Sequence, residues 1–185
     1  MPITEVRWHG RGGQGAVTSA ELIALAAIEK GKYAQSFPSF GPERRGAPVQ
    51  AFLRVSPDEP IRIRSEITQP DVVVVLNPDL LRVVNVTSGL KKGGVLIVNT
   101  KKSVDEIKSK YGDSYKVATV DAMTIARETI GLPITNTTMI GALLKVVPLL
   151  TPDDMIGAIE HRFGKVASKN IAAMKRAYDE IVVKE

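Results

Sequence analysis

Short stretches of alternating hydrophobicity, unbroken β-branched runs and longer helical stripes divide the chain. Val6 and Trp8 alternate with Arg7 and His9 in a first predicted strand. Residues 13–30 then read as a helix. Val17, Ala20, Ala24, Ala27 and Ile28 form one stripe of it, and Leu22, Ile23, Leu25 and Ala26 fill most of the remainder. A helix apolar nearly all round is expected to be covered on more than one side. Gly31 suits its C-terminal end. Residues 33–37 predict a second strand. Residues 49–55 alternate again, and after the turn Pro57, Asp58, Glu59, Pro60 the chain returns as Ile61, Arg62, Ile63, Arg64. These two segments read as an antiparallel hairpin at a sheet edge, because prolines flank them.

Residues 72–76 form a continuous β-branched run, residues 95–98 a similar one and residues 117–120 a third. Lacking alternation, they predict strands buried on both faces, as in parallel sheets covered by helices. Residues 79–86, 104–110 and 122–130 read as helices near them. The last third is predicted helical. Asn136 is a cap candidate for residues 136–150, and Gly141 inside that helix points to close packing. Thr151, Pro152, Asp153 and Asp154 form a helix start. That helix ends near Gly164. A final helix from Ala167 places Ala167, Ile171, Met174, Tyr178 and Ile181 on one face. The expected fold is α/β: one domain over residues 1–185, three layers (α/β/α), with a mixed, mainly parallel Rossmann-like sheet and an added β-hairpin.

Composition removes several classes of function. The net charge of +5 is modest and does not require nucleic acid. Aromatic residues make up only 5%, too few for base-stacking platforms. Cysteine is absent, so no thiolate-held iron–sulfur cluster or zinc belongs to this chain. With His9 and His161 alone, a histidine metal site is disfavoured. The start of the chain lacks a basic region followed by an apolar core. No apolar run approaches the roughly 20 residues of a membrane span. A cytoplasmic protein without membrane attachment is expected.

Four groups of residues carry candidate chemistry. Gly10, Arg11, Gly12, Gly13, Gln14 and Gly15 lie between the first strand and the first helix. In that context a glycine turn can present amides and a helix dipole to an anion. It can equally be a tight packing turn or face another protein. The acidic residue expected about 20 positions later in a NAD site is missing; Glu43 falls inside the next loop. That loop, rich in glycine and proline, holds Phe40, Glu43, Arg44 and Arg45 and reads as an interaction loop or a solvated one. Arg54, Arg62 and Arg64 are expected on one hairpin face, open to an acidic partner or to solvent. His9 stands beside the turn, as a structural or a ligand-facing histidine.

Taken together, residues 9–15, 40–46 and 136–141 (HGRGGQG, FGPERRG, NTTMIG) resemble the gamma subunit of 2-oxoacid:ferredoxin oxidoreductases, those of pyruvate and 2-ketoisovalerate in particular. Ala47 departs from the pattern, where many relatives carry a second glycine. The resemblance implies a heteromeric, pyruvate synthase type enzyme. It decarboxylates a 2-oxoacid oxidatively, passes electrons to ferredoxin and transfers the acyl group to coenzyme A. It also implies alpha, beta and delta partner subunits that hold thiamine diphosphate, Mg2+ and 4Fe-4S clusters. This chain would bind none of these and carry no catalytic residue. Its implied contact residues, for a ligand or a subunit, are His9, Gly10, Arg11, Gly12, Gly13, Gln14, Gly15, Phe40, Glu43, Arg44 and Arg45. A free-standing Rossmann-like nucleotide-binding module is the competing reading.

Overall fold

The computed structural model describes residues 2–39, 45–111 and 114–185. Strand β1 (Thr4–Arg11) leads through the glycine turn into helix α1 (Ala16–Glu29). Strands β2 (Tyr33–Pro38), β3 (Pro48–Ser56) and β4 (Val72–Val75) follow, then the short helix α2 (Leu80–Val83). Next come β5 (Val95–Asn99), α3 (Val104–Tyr111), β6 (Lys116–Val120) and α4 (Ala122–Thr129). The chain ends with α5 (Asn136–Val146), α6 (Ile156–Phe163), α7 (Ala167–Glu180) and β7 (Val182–Lys184).

The strands form one sheet in the order β2-β3-β1-β4-β5-β6-β7. Its centre, β1-β4-β5-β6, is parallel. Antiparallel strands flank it on both sides. The continuous apolar runs are the central strands, as their lack of alternation requires. Val72, Val74 and Ile97 face one cluster with α1, α5, α6 and α7. Val73, Val75, Leu96 and Val98 face a second, with Leu80 and Ile107. The sheet is therefore covered on both sides, and the three-layer, mixed arrangement agrees with the expectation.

Two helices are shorter than expected, with residues 79–86 helical only over Leu80–Val83 and residues 136–150 only over Asn136–Val146, and three larger details differ from the sequence reading. The hairpin is β2–β3, not β3 with residues 61–64, and β3 lies inside the sheet between β2 and β1. Alternation shows that successive side chains face opposite sides of a strand; it does not name the strand's partner. Residues 61–64 join no strand. Second, the last helix stops at Glu180, and β7 closes the far edge against β6. Third, α1 is covered by the sheet and by α5 and α6, yet Leu25 and Ile28 stay half exposed.

Two helix ends follow their local signals. Gly31 has a φ of 76°, the left-handed conformation that ends α1. Thr151 and Asp154 form a reciprocal capping box ahead of α6. The amide of Thr151, the Lys30 ammonium and the Thr151 hydroxyl together draw the Asp154 carboxyl down to about 2.

Candidate functional site

The glycine turn sits where the chain reverses its order in the sheet. From β1 the connection through α1 runs to β2 and β3 on one side, while β4 and β5 extend on the other. Crevices at such switch points, outside the carboxyl ends of parallel strands, are where α/β sheets place ligands.

Side chain and backbone fold the turn on itself. The Gln14 amide donates to the Arg11 carbonyl (3.0 Å), and the Arg11 amide donates to Gln14 Oε1 (2.8 Å). Gly13 and Gly15 have φ of 90° and 84°, open to glycine at little cost. At Gly10 space is close instead: a methyl there would come within 3.2 Å of Leu76 Cδ1.

The fold joins this turn to the two other motifs. Gly12 donates to the Ala47 carbonyl (2.9 Å), Gly46 to the Gly12 carbonyl (3.4 Å), and Arg11 Nη1 to the Gly46 carbonyl (3.0 Å). Among the described residues only glycines have positive φ, so Ala47 occupies its place without strain. On the other side Gly15 abuts Asn136. A Cβ at Gly15 would lie 2.9 Å from both Asn136 Cβ and Nδ2. Ser19 Oγ donates to the Gly15 carbonyl (2.9 Å) and lies 3.4 Å from the Asn136 carbonyl. Thr135, not Asn136, holds the cap position of α5; Asn136 Oδ1 instead accepts from the Thr137 amide (2.8 Å).

Helix α1 begins without a side-chain cap. Among the described residues no acceptor takes the amides of Ala16, Val17 and Thr18. These donors, with the helix dipole, make the turn a positive rim. They open on a depression of about 240 Å³ lined by Arg11, Gly12, Gly13, Ala16, Val17 and Thr18. Arg45, next in the chain to Gly46, is exposed. Phe40, Glu43 and Arg44 lie outside the described residues.

His9 is placed beneath the turn rather than in the depression. It is buried, and its Nε2 accepts from Arg7 Nε at 3.1 Å. Burial, then the Arg7 charge, lowers its pKa to about 3. Arg7 also donates to the carbonyls of Ile67, Val86 and Ser88, tying β1 to both segments that flank β4. Neutral His9 is thus part of the fold. The unfolded chain takes up this proton below about pH 6.5, whereas the folded chain resists it until about pH 3. The stability held above pH 6.5 is therefore lost as pH falls toward 3. In His9→Gln, urea denaturation at pH 7 and pH 5 is expected to lose less stability on acidification than the native chain, by about 1–2 kcal/mol. Equal losses in the two proteins would refute this.

The structure does not bring Arg54, Arg62 and Arg64 together. Arg54 is buried, because β3 is interior. Its Nε pairs with Glu5 Oε1 at 2.8 Å, its Nη1 donates to Gln35 Oε1 at 3.4 Å, and its guanidinium lies 5.7 Å from the Phe37 ring centroid. Sequence reasoning missed the buried Arg7–His9 pair and this Arg54–Glu5 contact. Polar residues at alternate strand positions look like a solvated face. His161 lies in the last turn of α6, as expected. Among the described residues no three His, Asp or Glu side chains cluster as metal ligands, and no helix is long and apolar enough to cross a membrane.

Residues 5–180 match the family described as pyruvate ferredoxin/flavodoxin oxidoreductase. The common gamma subunit of the pyruvate/ketoisovalerate oxidoreductases of Thermococcus litoralis is 52% identical over 183 residues, covering 98% of each chain. The pyruvate synthase subunit PorC of Methanothermobacter thermautotrophicus is 52% identical over 178 residues, covering 96% of this chain and 95% of its own. The crystal structure of the pyruvate oxidoreductase subunit PORC of Thermotoga maritima superposes over the full length of both chains, with a TM-score of 0.88 at 38% identity. The chain thus belongs to the pyruvate ferredoxin/flavodoxin oxidoreductase family, in its gamma (PorC) branch.

Proposed function

We propose that this chain is the accessory gamma subunit of a coenzyme A-acylating 2-oxoacid:ferredoxin oxidoreductase acting on pyruvate, 2-ketoisovalerate or both. One observation carries the proposal: a gamma subunit matches it at 52% identity with 98% of each chain aligned. The residues present do not fit the redox groups of such an enzyme. Without cysteine the chain has no thiolate for a 4Fe-4S cluster. The clusters, thiamine diphosphate and Mg2+ are therefore assigned to alpha, beta and delta subunits, with ferredoxin as electron acceptor, all in the cytoplasm.

The contribution of this chain is surface and shape. The rim formed by Arg11, Gly12, Gly13 and Gly15, together with exposed Arg45, is its contact region for a subunit or a ligand. His9, Gly10 and Gln14 hold that rim in place from below. Phe40, Glu43 and Arg44 are assigned to the same contact by the resemblance. The uncapped amides of α1 suit an anionic group, so a phosphate of coenzyme A fits their chemistry. Coenzyme A would supply the thiol that receives the acyl group. The free-standing nucleotide-binding module is disfavoured, because a depression of about 240 Å³ is smaller than the usual ligand pocket.

The isolated chain is expected to show no 2-oxoacid-dependent reduction of a viologen dye. Co-expressed with thiamine- and cluster-bearing subunits, it is expected to co-elute with them and with that activity. Turnover by the isolated chain, or failure to co-elute, would refute the proposal.

A further inference from the structure

Residues 60–66 stand apart from the rest of the molecule. Their sequence alternates, Ile61, Arg62, Ile63, Arg64, as a strand does, yet among the described residues they pair with no strand. Among the described residues no backbone amide or carbonyl from Pro60 to Glu66 takes part in a hydrogen bond. Ile63 is 49% exposed. Arg62 and Arg64 are exposed and have no partner among the described residues.

Near this segment lies the start of β2, an edge strand that among the described residues bonds only to β3. Edge strands are usually protected by charge, and the other edge strand, β7, carries Lys184. Strand β2 reads Tyr33, Ala34, Gln35, Ser36, Phe37, Pro38, without a charge. Between the start of β2 and residues 60–64 lies a depression of about 550 Å³. Ile28, Tyr33 and Ile61 line it together with the polar side chains of Lys32, Gln35 and Arg64. Ile28 and Tyr33 are themselves half exposed.

We infer that residues 61–64 and the nearby start of β2 form a docking site for an extended segment of another subunit of the assembly. The occupant's chemistry follows from the alternation. Directly opposed residues on paired strands share a face, so apolar side chains would oppose Ile61 and Ile63, and carboxylates would oppose Arg62 and Arg64. Main-chain hydrogen bonds to the unbonded segment supply the pairing, and the depression, part apolar and part polar, takes one side chain of the guest. The unpaired arginines favour an acidic, apolar guest over a second copy of this chain, whose net charge is +5. The inference rests on the reading that the chain works within a heteromeric complex.

Hydrogen–deuterium exchange on the isolated chain and on the assembled complex tests it. In the isolated chain the amides of residues 61–66 are expected to exchange as fast as unstructured ones. In the complex they are expected to slow by about tenfold or more. The double variant R62E/R64E is expected to unfold at an unchanged temperature alone, while less of it is retained in the complex. Unchanged exchange of residues 61–66 in an intact complex would overturn this inference while leaving the gamma-subunit reading standing. Full retention of R62E/R64E would overturn the charge complementarity on which it rests. Protection that appears in the isolated chain and grows with its concentration would overturn it in favour of self-association. Failure of the native chain to assemble at all would overturn both readings.

Discussion

Replacing Gly141 with alanine is expected to destabilise the protein by about 2 kcal/mol or more, even though the site is inside a helix. Glycine-to-alanine changes in helices ordinarily stabilise by about 1 kcal/mol, because alanine loses less backbone freedom on folding. Here packing wins. A methyl at Gly141 would overlap the carbonyl oxygen of Met174 in α7. Backbone meets backbone at that point, so no side chain can turn aside. The helices α5 and α7 would have to separate where Met139, Ile140, Leu143 and Met174 are all fully buried. For a chain of this size the penalty corresponds to a fall in Tm of roughly 4–8 °C. Gly157 in α6 is the control. A methyl there meets only Glu29 Oε2, at 3.7 Å. Gly157→Ala is expected to be neutral or slightly stabilising. Thermal unfolding of the two variants beside the native chain decides the matter. Equal Tm values for all three would refute the close-packing account.

Gly15→Ala is the second large effect, at about 2–5 kcal/mol, because two costs add. The φ of 84° is strained for any side chain, by about 1–2 kcal/mol. The new methyl would also press on Asn136 at 2.9 Å, and overpacking of this kind costs about 1–3 kcal/mol. Gly13→Ala separates the two. Its φ is 90°, but among the described residues a methyl there meets nothing within 4 Å. It is expected to show the backbone cost alone, about 1–2 kcal/mol. Urea denaturation of both variants measures the difference. Equal penalties would mean that the contact with Asn136 carries no weight. A larger penalty at Gly15 would establish that the glycine turn and the start of α5 are one rigid unit.

That unit marks the boundary of what the sequence reveals. The glycine turn, the loop after β2 and the NTTMIG segment are each legible as separate motifs. Their spacing along the chain says nothing about distance in space. The structure brings the turn against Gly46 and Ala47 on one flank and against Asn136 on the other. The buried arginines are illegible for a related reason. Arg7 and Arg54 occupy positions that, by alternation, belong to the face opposite Val6, Trp8, Leu53 and Val55. Whether that face meets water depends on what crosses it. Carbonyls from residues 67, 86 and 88 converge on Arg7, and Glu5 and Gln35 close around Arg54.

Elements and their ends are written locally in this chain. Valine-rich runs without alternation make β4, β5 and β6 of the parallel core. Gly31, the Thr151–Asp154 box and Gly141 mark a stop, a start and a close approach. The missing cysteine rules out thiolate-held clusters. These are properties of single residues and their neighbours, and local physics reads them directly. Strand partnership is not of that kind. It took the folded chain to insert β3 between β1 and β2, to seal the opposite edge with β7 and to leave residues 61–64 without a strand partner among the described residues. Partners are selected by the closing of long loops and by which faces become covered, and those contacts join residues far apart in the chain.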